Sequence, residues 1–267
     1  MCEDDSVDDF DKIMRTNISV SFYGLLGLLN SLGILRRGGR ALDVACGPGH
    51  FTNLVAEHGN FSNVTGVDLS EQMLSRARLN ANQRGLSERV TFRAGDAVTL
   101  AGFQDNSVDL AICTNAAHHL PDTRALEGMI SSLDRVTGPD GVVVIMDLTR
   151  LKHRFAIEAY GRVFGKEYID YEMPALYEDF MNSLAAAWSP RELQLALPQK
   201  PSKNWKHFCL SPLPVNQFVL GLPTGMEASV QWEQLSRFAS NVDSKYSSDM
   251  RQYLKMLQRT ACREFTR

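Results

Sequence analysis

Short runs of β-branched and apolar residues alternate with longer amphipathic stretches between Arg40 and Asp147. The short runs are typical of buried strands, and the longer stretches repeat apolar residues at the spacing of a helix face. Such alternation is typical of βα units around a parallel sheet. The pattern predicts strands at Ala41–Cys46, Asn63–Asp68, Val90–Ala94, Val108–Thr114 and Val142–Leu148.

Helix end signals occur between these strands. Ser70 has the residue type of an N-terminal cap for the helix after the second strand, and Gly85 is a natural C-terminal stop. The turn sequence Gly138-Pro-Asp-Gly141 predicts the end of a later helix before the fifth strand. Helices therefore fill the intervals between the strands.

The flanking segments predict further elements. Asn17–Leu35 predicts a helix packed on the core, and the aromatic-rich segment Arg150–Trp188 predicts an insertion of two or three helices. Ser189-Pro-Arg-Glu192 has the form of a capping box, and Asn204–Ser211 with Val215–Gly221 predicts a terminal antiparallel strand pair. Two amphipathic helices are predicted after Gly225, one with Trp232, Leu235 and Phe238 and one with Met250, Tyr253, Leu254 and Leu257.

Composition limits the partners. The 267 residues carry 28 Lys and Arg against 31 Asp and Glu, a net charge of -3, which argues against a nucleic-acid backbone as the main partner. The acidic start MCEDDSVDDFD is unlike a secretory signal, and no apolar run reaches the length of a membrane span. We therefore expect a cytoplasmic protein with no nucleic-acid and no membrane partner.

We expect the cysteines to be reduced thiols. They are scattered without CxxC or zinc spacing, and an odd number cannot pair completely within one chain. Three lie in apolar runs, where cysteine usually acts as a small core residue. The five are Cys2, Cys46, Cys113, Cys209 and Cys262.

The sharpest chemical motif is LDVACGPGH, residues Leu42–His50, in which a strand runs into glycines at the start of a helix. Bare backbone at such a turn lets a ligand approach closely. A dinucleotide fingerprint would place glycine where Thr52 stands, although a nicotinamide-dependent oxidoreductase shares the same βα architecture. Alone, this motif is a weak signal.

Three aspartates strengthen the prediction of a ligand site at this motif. Asp43, Asp68 and Asp96 lie in or just after successive strands, whose carboxyl ends meet at one crevice. A carboxylate placed like that of Asp68 accepts hydrogen bonds from two ribose hydroxyls. Each aspartate could instead serve as a cap or turn residue, but three such coincidences beside CGPG favour a common site.

With these motifs, the segment Arg40–Leu148 resembles the class I S-adenosylmethionine-dependent methyltransferases, particularly those that act on small molecules. The resemblance implies that Gly47 and Gly49 admit the methionine moiety, that Asp43 orients this loop and the cofactor's amino group, and that Asp68 holds the ribose. Asp96 would accept the adenine amino group. The full implied set for S-adenosyl-L-methionine is Asp43, Ala45, Cys46, Gly47, Gly49, Asp68, Leu69, Met73, Gly95, Asp96, Ala97 and Asn115.

The expected fold is α/β: a Rossmann-like, doubly wound, seven-stranded and mostly parallel sheet with a helical lid insertion and C-terminal helices. The corresponding division is an N-terminal helical lid segment (1–39), the cofactor-binding core (40–149), the insertion (150–188), the end of the core (189–225) and C-terminal helices (226–267).

His118 and His119 are candidate catalytic residues, because a histidine near neutral pKa can take a proton from an attacking atom. The alternative is a structural turn in the sequence HHLPD. Adjacent histidines point in different directions, so we expect no metal. The resemblance also implies a lid over the crevice, with Tyr23, His119, Tyr160 and Tyr177 as candidate substrate contacts, although tyrosines at helical spacing are commonly core residues.

The acceptor class stays open. The sequence Asn115-Ala-Ala-His replaces the Asn/Asp-Pro-Pro-aromatic signature of adenine- or glutamine-directed enzymes, and the tail lacks a basic module, so a small-molecule acceptor is favoured over RNA or protein. A non-catalytic cofactor-binding protein is a further alternative, since fold does not fix function. A homodimer is a possible assembly.

Overall fold

A computed structural model describes residues 4–16, 19–199, 202–226 and 229–265. The strands are β1 (Arg40–Val44), β2 (Asn63–Asp68), β3 (Val90–Ala94), β4 (Leu110–Thr114), β5 (Val142–Leu148), β6 (Asn204–Cys209) and β7 (Asn216–Leu222). The helices are α1 (Asp4–Thr16), α2 (Ser19–Ser31), α3 (His50–His58), α4 (Glu71–Gln83), α5 (Thr123–Thr137), α6 (Arg154–Phe164), α7 (Lys166–Asp170), α8 (Pro174–Ala186), α9 (Pro190–Leu195), α10 (Trp232–Leu235) and α11 (Ser247–Phe265).

The described strands form one seven-stranded sheet in the order β3-β2-β1-β4-β5-β7-β6. Strands β1 to β5 run parallel, whereas β7 is antiparallel to both β5 and β6. The chain order reverses between β1 and β4, and ligands of open α/β sheets bind outside the carboxyl ends of the strands at such a point. The predicted fold class is confirmed, and the sheet directs attention to the ends of β1, β2, β3 and β4.

Helix α2 is buried on one face of the sheet, which explains its apolar composition. Leu25, Leu26, Leu28 and Leu29 are fully buried, so the helix is covered on more than one side. A Cβ at Gly27 would lie 2.0 Å from a backbone oxygen of α10. The glycine therefore lets α10 cross α2 closely.

Several element boundaries differ from the sequence prediction. Strand β1 ends at Val44 because Ala45 has a φ of 54°, outside the β region. The first predicted C-terminal helix is only the four-residue α10, and Phe238 lies beyond it. Asn30 Nδ2 donates a hydrogen bond to the backbone carbonyl of Gln234 at 3.0 Å. A longer helix would use this carbonyl for its own hydrogen bond.

Other boundary predictions hold. Ser70 caps α4, and Ser189 and Glu192 form the predicted capping box. The insertion contains α6, α7 and α8, in agreement with two or three helices. Asn17 and Cys2 lie outside the described residues. Within the described ranges, no helix is both long and apolar enough to cross a bilayer.

Candidate functional site

A cavity of about 530 Å³ opens at the carboxyl ends of β1 to β4. Its size suits a small-molecule site. Ten of the twelve residues predicted to bind the cofactor line it: Ala45, Cys46, Gly47, Asp68, Leu69, Met73, Gly95, Asp96, Ala97 and Asn115. The remaining two, Asp43 and Gly49, are not among its lining residues.

The carboxylate of Asp68 fixes the glycine-rich turn after β1. Its Oδ2 accepts the backbone N–H of Gly47 at 2.8 Å, and its Oδ1 accepts that of Ser70 at 2.9 Å. Gly47 has a φ of 53°, a left-handed conformation that favours glycine. The side chain thus ties two strand ends together and leaves lone pairs on both oxygens for a ligand.

Asp43 lies beneath the turn and not on the cavity surface. It is 1% exposed, and its Oδ2 accepts the hydroxyl of Thr52 in α3 at 2.6 Å. Burial raises the pKa of Asp43 to about 7, with Thr52 opposing the shift and the nearby Asp68 adding to it. Its other oxygen, Oδ1, is buried without a hydrogen-bond partner, and the expected contact with the cofactor's amino group stays a prediction.

Gly49 supports the turn from behind as well. It has a φ of 74°, and a Cβ there would lie 2.8 Å from the Phe92 ring and 2.9 Å from Ala77. The glycine is required by the close approach of α4 and β3. It does not face the cavity.

The loop after β3 contributes a second carboxylate. Asp96 accepts the backbone N–H of Val98 at 2.8 Å, which fixes the loop. Leu69 stands at the mouth of the same cavity with 75% of its surface exposed. Ligand sites are lined largely by apolar side chains, and one at this position can pack against a ring of a bound molecule.

The two histidines occupy different environments. His118 is buried, with Nδ1 2.6 Å from Asp147 Oδ1 and its backbone N–H donated to Asp147 Oδ2 at 2.8 Å. His119 lines the cavity, and its ring centroid is 4.2 Å from that of His118. Partial desolvation, followed by repulsion from His118, lowers the pKa of His119. Only His119 is placed to reach a molecule in the cavity.

Asn115 lines the same cavity as His119, and its side-chain oxygen has no hydrogen-bond partner in the described structure. Its Oδ1 is buried without a hydrogen bond, and its φ of 50° is uncommon for a residue other than glycine. Strained backbone and unpaired buried polar atoms cluster at functional sites. This oxygen is available to accept a hydrogen bond from a bound molecule.

The opposite wall is apolar and differs from the prediction. Phe10 and Met14 of α1, Phe22 of α2 and Phe51 of α3 line the cavity. The predicted substrate tyrosines do not line it. Tyr23 and Tyr160 pack against the main core, and Tyr177 packs in a small cluster with Ile13, Tyr168 and Met173.

Residues 42–145 match a protein family described as a methyltransferase domain. Over this segment the chain is similar to methyltransferases. A ubiquinone biosynthesis O-methyltransferase from Xanthomonas campestris is 34% identical over 163 residues, which cover 59% of this chain and 64% of the relative. A demethylmenaquinone methyltransferase from Staphylococcus aureus is 29% identical over 54% of this chain and 62% of its own length.

Solved structures support the fold. A methyltransferase from Aquifex aeolicus aligns over 84% of this chain and 100% of its own, with a TM-score of 0.56 and 16% identity. A TehB-like methyltransferase from Corynebacterium glutamicum aligns over 82% and 98%, with a TM-score of 0.53 and 13% identity. The chain spans less than two thirds of the length of each curated relative named above.

The family implies S-adenosyl-L-methionine as cosubstrate, and the residues of the cavity fit it. Asp68 and Asp96 supply carboxylates, and Leu69 supplies an open apolar surface beside them. The unpaired oxygen of Asn115 adds an acceptor. No Lys or Arg lines the described cavity, so its charge favours a cationic sulfonium ligand.

Proposed function

We propose that this chain transfers a methyl group from S-adenosylmethionine to a nucleophilic nitrogen, oxygen, sulfur or carbon atom of an apolar small molecule. The observation that carries the proposal is one cavity shared by Asp68, Asp96, His119 and an apolar wall. Carboxylates that can recognise the cosubstrate thus lie beside an apolar surface that can hold the methyl acceptor. Holding two reactants in line in such a cavity supplies much of the rate of a direct displacement.

Each cosubstrate-side residue has a proposed task. Asp68 would accept the ribose hydroxyls while it holds Gly47, and Asp96 would accept the adenine amino group. Leu69 and Ala97 would pack against the ring, and Asn115 would border the reacting centre. The bound cosubstrate supplies an electrophilic methyl group on a positively charged sulfur.

The acceptor is proposed to be aromatic or otherwise apolar, without an anionic group. Phe10, Met14 and Phe22 give it an apolar surface, and no cation among the described lining residues would pair with a phosphate or carboxylate. The names of the two curated relatives refer to quinones, which are of this class. A nucleic-acid backbone does not suit this lining. A homodimer and a cytoplasmic location remain predictions.

His119 is proposed to take the proton from the acceptor. The lowered pKa keeps its imidazole neutral near pH 7, which is the form able to accept a proton. Asp147 holds His118 at 2.6 Å and thereby fixes the turn that carries both histidines. His118 therefore acts as a positioning residue for His119.

Calorimetric titration with S-adenosylmethionine and its demethylated product is the first test. We expect micromolar binding, and incubation with labelled cosubstrate and a metabolite extract should yield a labelled small product. Binding without transfer would favour a macromolecular acceptor or a non-catalytic role. The absence of binding would refute the assignment of Gly47, Asp68 and Asp96.

Substitution His119→Ala tests the proton acceptor once a product is known. We expect kcat to fall by about a hundredfold, the lower end of what a positioned base contributes, because alignment remains intact. The affinity for the demethylated product of S-adenosylmethionine should change by less than about twofold. His153→Ala on the exposed surface of the insertion is the matched control, and an unchanged kcat in His119→Ala would remove the base from the mechanism.

A further inference from the structure

Three buried polar side chains from three helices meet behind the glycine-rich turn. Asp11 lies on α1, His50 begins α3 and Asn80 lies on α4, with exposed fractions of 5%, 5% and 2%. Asp11 Oδ1 accepts from His50 Nε2 at 2.8 Å and from Asn80 Nδ2 at 2.7 Å. None of the three lines the cavity, so the proposed chemistry does not explain them.

Asn80 joins α1 to the turn through a single amide group. Its Nδ2 donates to Asp11 Oδ1 at 2.7 Å and also to the carbonyl oxygen of Pro48 at 2.8 Å. Its Oδ1 accepts from Arg15 Nη2 at 2.7 Å. The two amide hydrogens are thus divided between the helix and the turn.

The charge of Asp11 strengthens this junction. Burial alone would raise the pKa of Asp11, but hydrogen bonds from His50 and Asn80, with Arg15 nearby, hold it below its usual value. Arg15 pairs with Asp11 at 2.9 Å. Hydrogen bonds to a charged group are stronger than those between neutral groups.

Helix α1 also forms one wall of the cavity. Phe10 and Met14 line it, while Ile13 on the same helix packs against Tyr168 and Met173 of the insertion. Displacement of α1 would therefore open the acceptor side. The junction at Asn80 connects that wall to Pro48 of the turn, and the preceding residue, Gly47, is held by Asp68.

We propose that Asn80 is a positioning residue that couples cosubstrate binding to the docking of α1. A ligand that orders the turn fixes the Pro48 carbonyl in the orientation in which it accepts a hydrogen bond from Asn80. This bond holds the Asn80 amide in the position from which it also donates to Asp11. By linkage, a docked α1 strengthens cosubstrate binding by the same factor. The inference rests on the proposed function, because the ligand is the cosubstrate of that site.

Hydrogen exchange of the full chain with and without the demethylated product S-adenosylhomocysteine tests the coupling. We expect saturating product to slow exchange in α1 about tenfold, within the usual range of coupling between two sites. Protection of residues 45–49 and 68–73 without any change in α1 would overturn the coupling alone. No protection anywhere would also refute the proposed function.

Asn80→Ala should abolish the response of α1 and weaken product binding about tenfold, because both bonds are lost. Arg84→Ala is the matched control at the C-terminal cap of the same helix, since Arg84 pairs at 3.0 Å with Glu57 on α3. It should keep the full response. A full response in Asn80→Ala would contradict the proposal.

The exchanged pair Asp11→Asn with Asn80→Asp separates attachment from coupling and serves if Asn80→Ala does not fold. An amide at position 11 can donate to a carboxylate at position 80, which still pairs with Arg15, but that carboxylate has no hydrogen for Pro48. We expect near-normal exchange of α1 without ligand and a ligand response reduced to below about threefold. A tenfold response would show that the Pro48 bond is not the link.

Discussion

The two halves of the cavity are built in different ways. The cosubstrate half stands on the ends of β1, β2 and β3, where Asp68 fixes the turn through bonds of 2.8 Å and 2.9 Å to backbone N–H groups. The acceptor half combines α1 and α2, near the start of the chain, with the turn after β4, which is far from them in sequence. The first half is a property of the sheet, whereas the second depends on how separate helices pack.

The largest effect is expected from Asp68→Ala. The substitution removes the proposed ribose acceptor and releases the N–H groups of Gly47 and Ser70, so cosubstrate affinity should fall by at least about a hundredfold. Calorimetry measures the loss. Asp68→Asn keeps one acceptor oxygen and should be intermediate, while wild-type affinity in Asp68→Ala would refute the division between the halves.

That Gly47, Asp68 and Asp96 line one cavity could be predicted from sequence, because these residues follow strand ends. A strand ending in Asp68 and a turn containing Gly47 are local patterns, and parallel strands bring their ends to one edge. The position of Asp43 could not be read in this way. Side chains alternate along a strand, and only packing against Thr52 shows that this carboxyl faces α3 rather than the cavity.

The predicted substrate tyrosines lie away from the cavity for a physical reason, and their role as substrate contacts stays a prediction. The tyrosines Tyr160 and Tyr177 are prominent in sequence, but helix packing turns them toward other side chains. Phe10 and Met14 lie four residues apart in an acidic stretch whose amphipathic pattern predicts a helix but does not say what that helix covers. Such tertiary placement is not encoded by local spacing.

Asp43 provides a pH-dependent test of its supporting role. Its folded-state pKa of about 7 is above the usual value of 3.8, so the protonated carboxyl stabilises the fold. This contribution is fully present below pH 3.8, declines as pH rises toward 7 and is absent above it. The decline should approach about 1.4 kcal/mol per pH unit in the free energy of unfolding.

Denaturant unfolding of wild type and Asp43→Asn between pH 4 and pH 8 isolates this contribution. The difference between the two should vary with pH below 7 and be constant above it, because the amide does not titrate. Thr52→Val should move the change to higher pH by removing the hydroxyl that favours the carboxylate, and Thr52→Ser should not. A pH-independent difference would show that Asp43 is ionised in the fold.

The smallest effect tests whether the acceptor half can be altered alone. Leu120 lines the cavity beside His119, and Leu120→Arg would place a cation against the apolar acceptor surface. We expect kcat/KM for the acceptor to fall about tenfold, with Leu120→Met nearly unchanged because it conserves volume. Cosubstrate affinity should stay within about twofold, since the sheet and not this turn holds Asp68 and Asp96 in place. An equal loss of kcat/KM for the acceptor and of cosubstrate affinity would mean that the cavity responds as one unit. The separate construction of its halves would then have no functional consequence.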